Sequence, residues 1–300
     1  MHALVLISAP GCRALALLIR PIMSAIGGTD ARWLSPDDAF EVEIAADGED
    51  LVAVRAAVME LVGSAPIDVN IVRSDPSFRR KRLLCADMES TIIREELIDE
   101  MAELMGRRRE IAAITASAMA GDIDFAESLR QRVGALKGIS VSQLDEIRKR
   151  ISLMPGAETL VRTMAGHSAT CALVSGGFTL FADEVGTRLG FDTVAANVLD
   201  IAEARLSGRV REPVLGPSEK ALTLARLAAQ QGLDISHAIA VGDGANDIAM
   251  LEASGLGVAF RAKPMLAARM AAAENGAVIT HGDLTALLYL QGYTRDDFLA

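Results

Sequence analysis

Leu83-Leu84-Cys85-Ala86-Asp87-Met88-Glu89-Ser90-Thr91 (83–91) is the stretch from which the rest of this chain can be read. The apolar run Leu83–Met88 suits a short buried strand, and it leads straight into two carboxylates. Alternate side chains of a strand share a face, so Asp87 and Glu89 point the same way while Met88 packs opposite. Two carboxyls on one rim can divide labour, one as nucleophile and the other as acid/base. Taken alone, the pair reads better as a solvated acidic turn. Its surroundings decide.

Three more short apolar runs follow, Thr170–Ser175, His237–Val241 and Leu256–Phe260, each ending in a turn and separated by helical patterns. Strands alternating with helices predict an α/β fold with a Rossmann-like parallel sheet core. Between Met88 and Thr170 the periodicity is helical throughout, with no strand signal. A crossover needs only one helix, so the excess at 98–152 reads as an inserted helical cap. It would sit over the C-terminal edge of the sheet, where doubly wound sheets bind ligands.

Upstream, Ala3–Ser8, Ala31–Leu34, Ala39–Ala45 and Ile67–Val72 read as strands, and Ala14–Ile26 and Asp50–Val62 as helices. The order β-α-β-β-α-β predicts a small ferredoxin-like α+β domain over 1–78, with a second domain over 79–300. Ser74-Asp75-Pro76 and the basic run Arg79–Arg82 mark the boundary as an exposed connector.

The other strand ends carry their own signals. Ser175-Gly176-Gly177-Phe178 lets backbone approach an anion, with a hydroxyl and N–H groups to hold it, although a plain strand-to-helix turn is as good a reading in isolation. Gly242-Asp243-Gly244-Ala245-Asn246-Asp247 admits three readings. A dinucleotide fingerprint needs glycine where Asp247 stands, and an EF-hand calcium loop needs Glu where Ser254 stands. A magnesium site of hard carboxylate oxygens is the reading we favour. Lys220, alone a surface lysine, could neutralise a transferring group if the fold brings it to these acids.

A formal charge of −10 argues against nucleic acid as a partner, and any anion site must be built locally. Cys12, Cys85 and Cys171 form no metal or disulfide pattern and fit a reducing compartment. The apolar run Ala3–Ala9 is too short to span a membrane and lacks a basic leader, so a cytoplasmic location is expected.

In this order the motifs resemble the haloacid-dehalogenase-like hydrolase superfamily, and within it the phosphoserine phosphatase family, from residue 83 to about 295. Asp87–Ile92, Ile98-Asp99-Glu100, Phe125–Val133, Ser175–Phe178, Gly242–Asp247 and Ala262-Lys263-Pro264 carry the likeness. The N-terminal unit is similar to ACT-type regulatory domains, which often pair, so a homodimer is an expectation of the resemblance.

The resemblance implies Mg2+-dependent hydrolysis of O-phosphoserine through an aspartyl-phosphate, the last step of serine biosynthesis. Asp87 would be the nucleophile, Glu89 the acid and base, and Lys220, Ser175, Gly176 and Asn246 would hold the phosphoryl group. Mg2+ would be bound by Asp87, the backbone carbonyl of Glu89 and Asp243, supported by Asp247. Glu96 would take the substrate ammonium and Arg132 its carboxylate, with Met119 and Phe125 as apolar walls. The family usually has Asp where Glu89 stands, and the extra methylene moves the carboxyl by about a bond length. Two other functions compete: a phosphatase or phosphotransferase for another small phosphomonoester, and a catalytically weak amino-acid sensor.

Overall fold

The computed structural model describes residues 1–27, 30–45 and 48–299; residue 300, the expected end of the second domain, lies outside them. The first unit runs β1 (His2–Ser8), α1 (Ala14–Ile26), β2 (Ala31–Ser35), β3 (Ala39–Ile44), α2 (Glu49–Val62) and β4 (Ile67–Arg73). Its strands lie in the antiparallel order β2-β3-β1-β4, the ferredoxin-like arrangement that the element order implied. Strand alternation divides β1 between two cores. Leu4 and Leu6 pack with Leu15 and Ile22 of α1, whereas Ala3, Val5 and Ile7 face the main body of the protein.

A one-turn helix, α3 (Pro76–Arg79), leads into β5 (Leu83–Ala86). The basic run is only in part the exposed connector expected: Arg80 and Arg82 are exposed, but the alternate residues Arg79 and Lys81 are buried. Arg79 and Lys81 are 9% and 8% exposed. Arg79 is paired with the buried carboxylate of Glu41, and Lys81 Nζ donates to the Ser236 carbonyl at 2.7 Å. Charges bury when each finds a partner across a seam, and here the partners come from distant parts of the chain.

Four helices, α4 (Leu97–Leu104), α5 (Arg108–Ala120), α6 (Phe125–Ala135) and α7 (Val141–Arg148), precede α8 (Ala157–Gly166). Then come β6 (Thr170–Phe178), α9 (Thr179–Leu189), β7 (Thr193–Asn197) and the hairpin of β8 (Leu199–Ala202) and β9 (Arg205–Val210). The chain closes with α10 (Pro217–Gln230), β10 (Ala238–Gly242), α11 (Ile248–Ala253), β11 (Leu256–Phe260), α12 (Pro264–Ala272), β12 (Gly276–Ile279) and α13 (Ala286–Leu290).

The parallel sheet has the order β12-β11-β10-β5-β6-β7. Both faces of its central strand are covered: Leu84 and Ala86 join one apolar core, Leu83 and Cys85 the other with Leu224 and Leu227 of α10. Sequence patterning singled out four of the six strands. The two it missed, β7 and β12, are the edges, short and without alternation. It also missed the β8–β9 hairpin, which binds the inserted helices where the Gly138 N–H donates to the Leu206 carbonyl and the Leu206 N–H donates to the Ile139 carbonyl. Among the described residues no helix is long and apolar enough to cross a membrane.

Candidate active site

Three motif-bearing strand ends lie side by side, because β5 sits between β10 and β6. β5 ends at Ala86, earlier than its apolar run suggested: the Met88 carbonyl accepts N–H bonds from Thr91, Ile92 and Ile93, which turns the chain. Met88 is fully buried in the core while the acids on either side of it turn to the site.

Asp87, 4% exposed, meets Lys220 Nζ at 2.6 Å through Oδ1. The same ammonium stands 2.7 Å from Asp247 Oδ1 and is 1% exposed, carried there by the first turn of α10. Burial alone would lower the Lys220 pKa, but Asp87 and Asp247 overcome it and hold it above the ordinary lysine value. Burial and Asp247 push the Asp87 carboxyl well above the usual carboxylate range, with Lys220 pulling it down. Gly242 is required by the packing: a Cβ there would lie 2.3 Å from Asp247 Cγ. Asp247 Oδ2 in turn accepts the Gly244 N–H at 3.1 Å.

Asp87, Asp243 and Asp247 each offer a carboxylate oxygen, all within 4.8 Å of one another and all buried. Three hard oxygens at this spacing suit a divalent cation such as Mg2+, which favours oxygen ligands. The donor set fits. A further cation, Lys263, not singled out from its own chemistry in the sequence, pairs with Asp243 Oδ2 at 3.2 Å.

Glu89 Oε1 accepts the Leu97 N–H at 3.1 Å and lies 3.1 Å from where a Cβ on Gly177 would stand. Burial, then Glu96, then Asp87 raise its pKa to about 8, against the lowering effect of the Leu97 N–H. A carboxyl so placed holds its proton near neutrality and can donate it.

Ser175-Gly176-Gly177 forms an irregularity in β6, whose register with β7 jumps between Val174 and Phe178. The motif is thus a bulge inside the strand rather than a turn after it. Glycines permit this, and bulges re-aim groups at strand ends. Ser175 Oγ accepts the Gly177 N–H at 2.9 Å. Asn197, missed in the sequence, is 2% exposed and donates to the Gly176 carbonyl at 2.9 Å, while its Oδ1 accepts the Leu215 N–H at 2.7 Å. It ties the Gly176 bulge to the segment that launches Lys220. One polar residue at the end of an apolar strand was its only signal. Asn246 is half-buried beside Gly244.

Glu96 accepts the Ser90 hydroxyl at 2.8 Å, and Ser90 adopts a φ of 54°. Desolvation raises the Glu96 carboxyl although part of the side chain reaches solvent. Arg132, half-buried on α6, feels the charges of Glu89, Asp99 and Glu96, and its Nε donates to the Ser128 carbonyl. Phe125 presents its ring 3.5 and 3.2 Å from where Cβ atoms on Gly176 and Gly216 would stand, so the helical insert touches both anion-side loops. Met119 is not brought into this group. It is 84% exposed near the C-terminal end of α5, where the helix runs out at Gly121.

A parallel sheet with an inserted helical unit and an acidic cluster at the ends of β5 and β10 defines a class, and comparison agrees with it. The haloacid dehalogenase-like hydrolase family matches residues 84–252, and the chain belongs to that family. It is 39% identical over 256 residues to a phosphoserine phosphatase of Streptomyces coelicolor, covering 85% of this chain and 61% of that protein. The chain therefore spans about three fifths of the length of that relative.

Among solved structures, a HAD family hydrolase of Salmonella enterica serovar Typhi superposes with a TM-score of 0.83 at 28% identity, covering 97% of this chain and 98% of that one. A phosphoserine phosphatase solved as a phospho-aspartyl intermediate analogue gives a TM-score of 0.64 at 36% identity, covering 70% of this chain and 98% of that one.

Proposed function

We propose that this chain hydrolyses O-phosphoserine to serine and phosphate through a covalent phosphate on Asp87. The observation that carries the reading is the fully buried Lys220 bridging Asp87 and Asp247 beside a third carboxylate, Asp243. Phosphoryl transfer depends on positioning and charge neutralisation more than on covalent chemistry by the protein, and this group supplies both.

Asp87, Asp243 and the Glu89 carbonyl would hold Mg2+, with Asp247 supporting. When bound, the cation neutralises charge on the phosphoryl oxygens. Asp87 attacks phosphorus, and the seryl oxygen leaves with the proton that Glu89 supplies. Glu89, now ionised, takes a proton from water, whose oxygen attacks the aspartyl-phosphate and frees phosphate. Lys220, Ser175 Oγ, the Gly176 N–H and Asn246 hold the phosphoryl oxygens throughout. Glu96 receives the substrate ammonium and Arg132 its carboxylate, for which a guanidinium fork is better shaped than lysine. Phe125 closes the apolar side. The unit at 1–78 serves as an ACT-like regulatory domain, and the three free cysteines suit the cytoplasm.

Phosphate release from L-phosphoserine, measured against a panel of phosphomonoesters with Mg2+ and with chelator, tests this. Mg2+-dependent release favouring phosphoserine, and lost in Asp87→Asn, is expected. A preference for another ester would move the substrate, and release indifferent to chelator would overturn the metal assignment.

A further inference from the structure

Two connections join the helical insert to the sheet, Ile92–Glu95 on the way out and Ser152–Met154 on the way back, and they are zipped into a short antiparallel ribbon. The Met154 N–H donates to the Ile92 carbonyl at 2.9 Å, the Arg94 N–H donates to the Ser152 carbonyl at 3.0 Å, and Ile93 and Leu153 bridge. At the end nearer the insert the ladder is completed by a side chain. The Ser152 N–H goes to the Glu95 carboxylate, 3.1 Å from each oxygen, and the Ser152 hydroxyl donates to Glu95 Oε1 at 2.5 Å.

The next two residues each hold a reacting or recognising group. Glu96 carries the carboxyl assigned to the substrate ammonium, and the Leu97 N–H is the donor that fixes Glu89 Oε1 at 3.1 Å. Leu97 is also the first residue of α4, so its N–H has no helical acceptor and is free for this task. The placement of Glu89 and Glu96 therefore depends on where the outgoing strand ends and α4 begins. Glu95 is the residue that fastens that point to the returning strand.

We infer that Glu95 is a positioning residue: by clipping Ser152 it holds the Leu97 N–H and the Glu96 carboxyl in register with the bound substrate. The inference rests on the phosphoserine reading above. It requires that Glu95 matter more for an ester bearing an ammonium than for one without. A misplacement of about 1 Å at a reacting group can cost on the order of 10²-fold in rate.

The test uses the full chain, with Glu95→Ala and the gentler Glu95→Gln, each alone and combined with Ser152→Ala. We expect Glu95→Ala to lower kcat/KM for L-phosphoserine by about 10-fold or more and to lower that for p-nitrophenyl phosphate several-fold less. Glu95→Gln, which keeps one acceptor oxygen, falls between. Ser152→Ala keeps its N–H bond and is expected to be mild alone and to add little on top of Glu95→Ala.

Hydrogen exchange at the Ser152 and Leu97 amides is the second readout, and Glu95→Ala should accelerate both. Equal losses on the two esters, or unchanged exchange at Leu97, would overturn the inference. If the parent chain hydrolysed p-nitrophenyl phosphate but not phosphoserine, the substrate reading would fail instead. Exchange at Leu97 would still decide whether Glu95 holds it.

Discussion

Lys220→Met leaves a side chain of similar length and removes the ammonium that bridges Asp87 and Asp247. Lys220 Nζ lies 2.6 and 2.7 Å from those carboxylates, and all three side chains are at most 6% exposed. Without the ammonium, three carboxylates stand with oxygens within 4.8 Å of one another. At an effective dielectric constant of about 20, two unit charges that far apart repel by roughly 3–4 kcal/mol. Removing one member of a buried ion pair costs about 3–5 kcal/mol in general. We therefore expect the variant to lose at least about 3 kcal/mol of unfolding free energy near neutral pH in the presence of chelator.

The loss should depend on pH with a definite sign. Burial and Asp247 already raise the Asp87 carboxyl, and Lys220 opposes them, so the variant's carboxyl is raised further. A carboxyl raised in the folded state keeps its proton after the unfolded chain has released its own, at about pH 4. Stability then falls as pH climbs from there through the folded value. The deficit of Lys220→Met should be larger at about pH 8 than at about pH 5. Urea unfolding of parent and variant at both pH values, read as midpoints with a check that the slope is unchanged, measures it. Equal deficits at the two pH values, or a variant as stable as the parent at the higher one, would refute the role given to Lys220.

Other expectations are simpler to state. Glu89→Gln cannot donate and retrieve a proton, so its turnover of phosphoserine should fall by about 10²- to 10⁴-fold, whereas Glu89→Asp should lose less than Glu89→Gln; steady-state phosphate release gives the order, and the reverse order would remove Glu89 as acid/base. Arg132→Ala should cost about 10- to 100-fold in kcat/KM for phosphoserine and far less for p-nitrophenyl phosphate, and equal losses would sink its carboxylate role. Gly156 has a φ of 83° and a Cβ there would lie 2.7 Å from the Thr285 N, so Gly156→Ala should destabilise the fold by about 2 kcal/mol in thermal unfolding; an unchanged melting temperature would contradict that packing.

What the sequence made legible follows from what chemistry demands of local backbone. An acid at a strand end, a glycine pair that must bulge, and a glycine beneath a buried carboxylate each force an unusual residue at a fixed offset from an apolar run. Asp87, Ser175-Gly176-Gly177 and Gly242-Asp243 stand out for that reason, and their strands proved to be neighbours. The edge strands β7 and β12 carry no such demand and were passed over. Charge neutralisation is harder still, because the partner is chosen by the fold. Arg79 is answered by Glu41 and Lys81 by the Ser236 carbonyl, 38 and 155 residues away, and no local pattern distinguishes those two cations from exposed ones.

The adjacent pair Glu95 and Glu96 makes the same point at closer range. In the sequence they are two equal acids, separable only through the resemblance that assigned one of them to the substrate. In the structure one faces Ser152 and the other Ser90, and the difference is made by a returning strand 57 residues downstream. A residue that acts on substrate directly leaves its mark in the local sequence, because its neighbours must shape the site. One that acts by fastening two connections leaves its mark only where those connections meet.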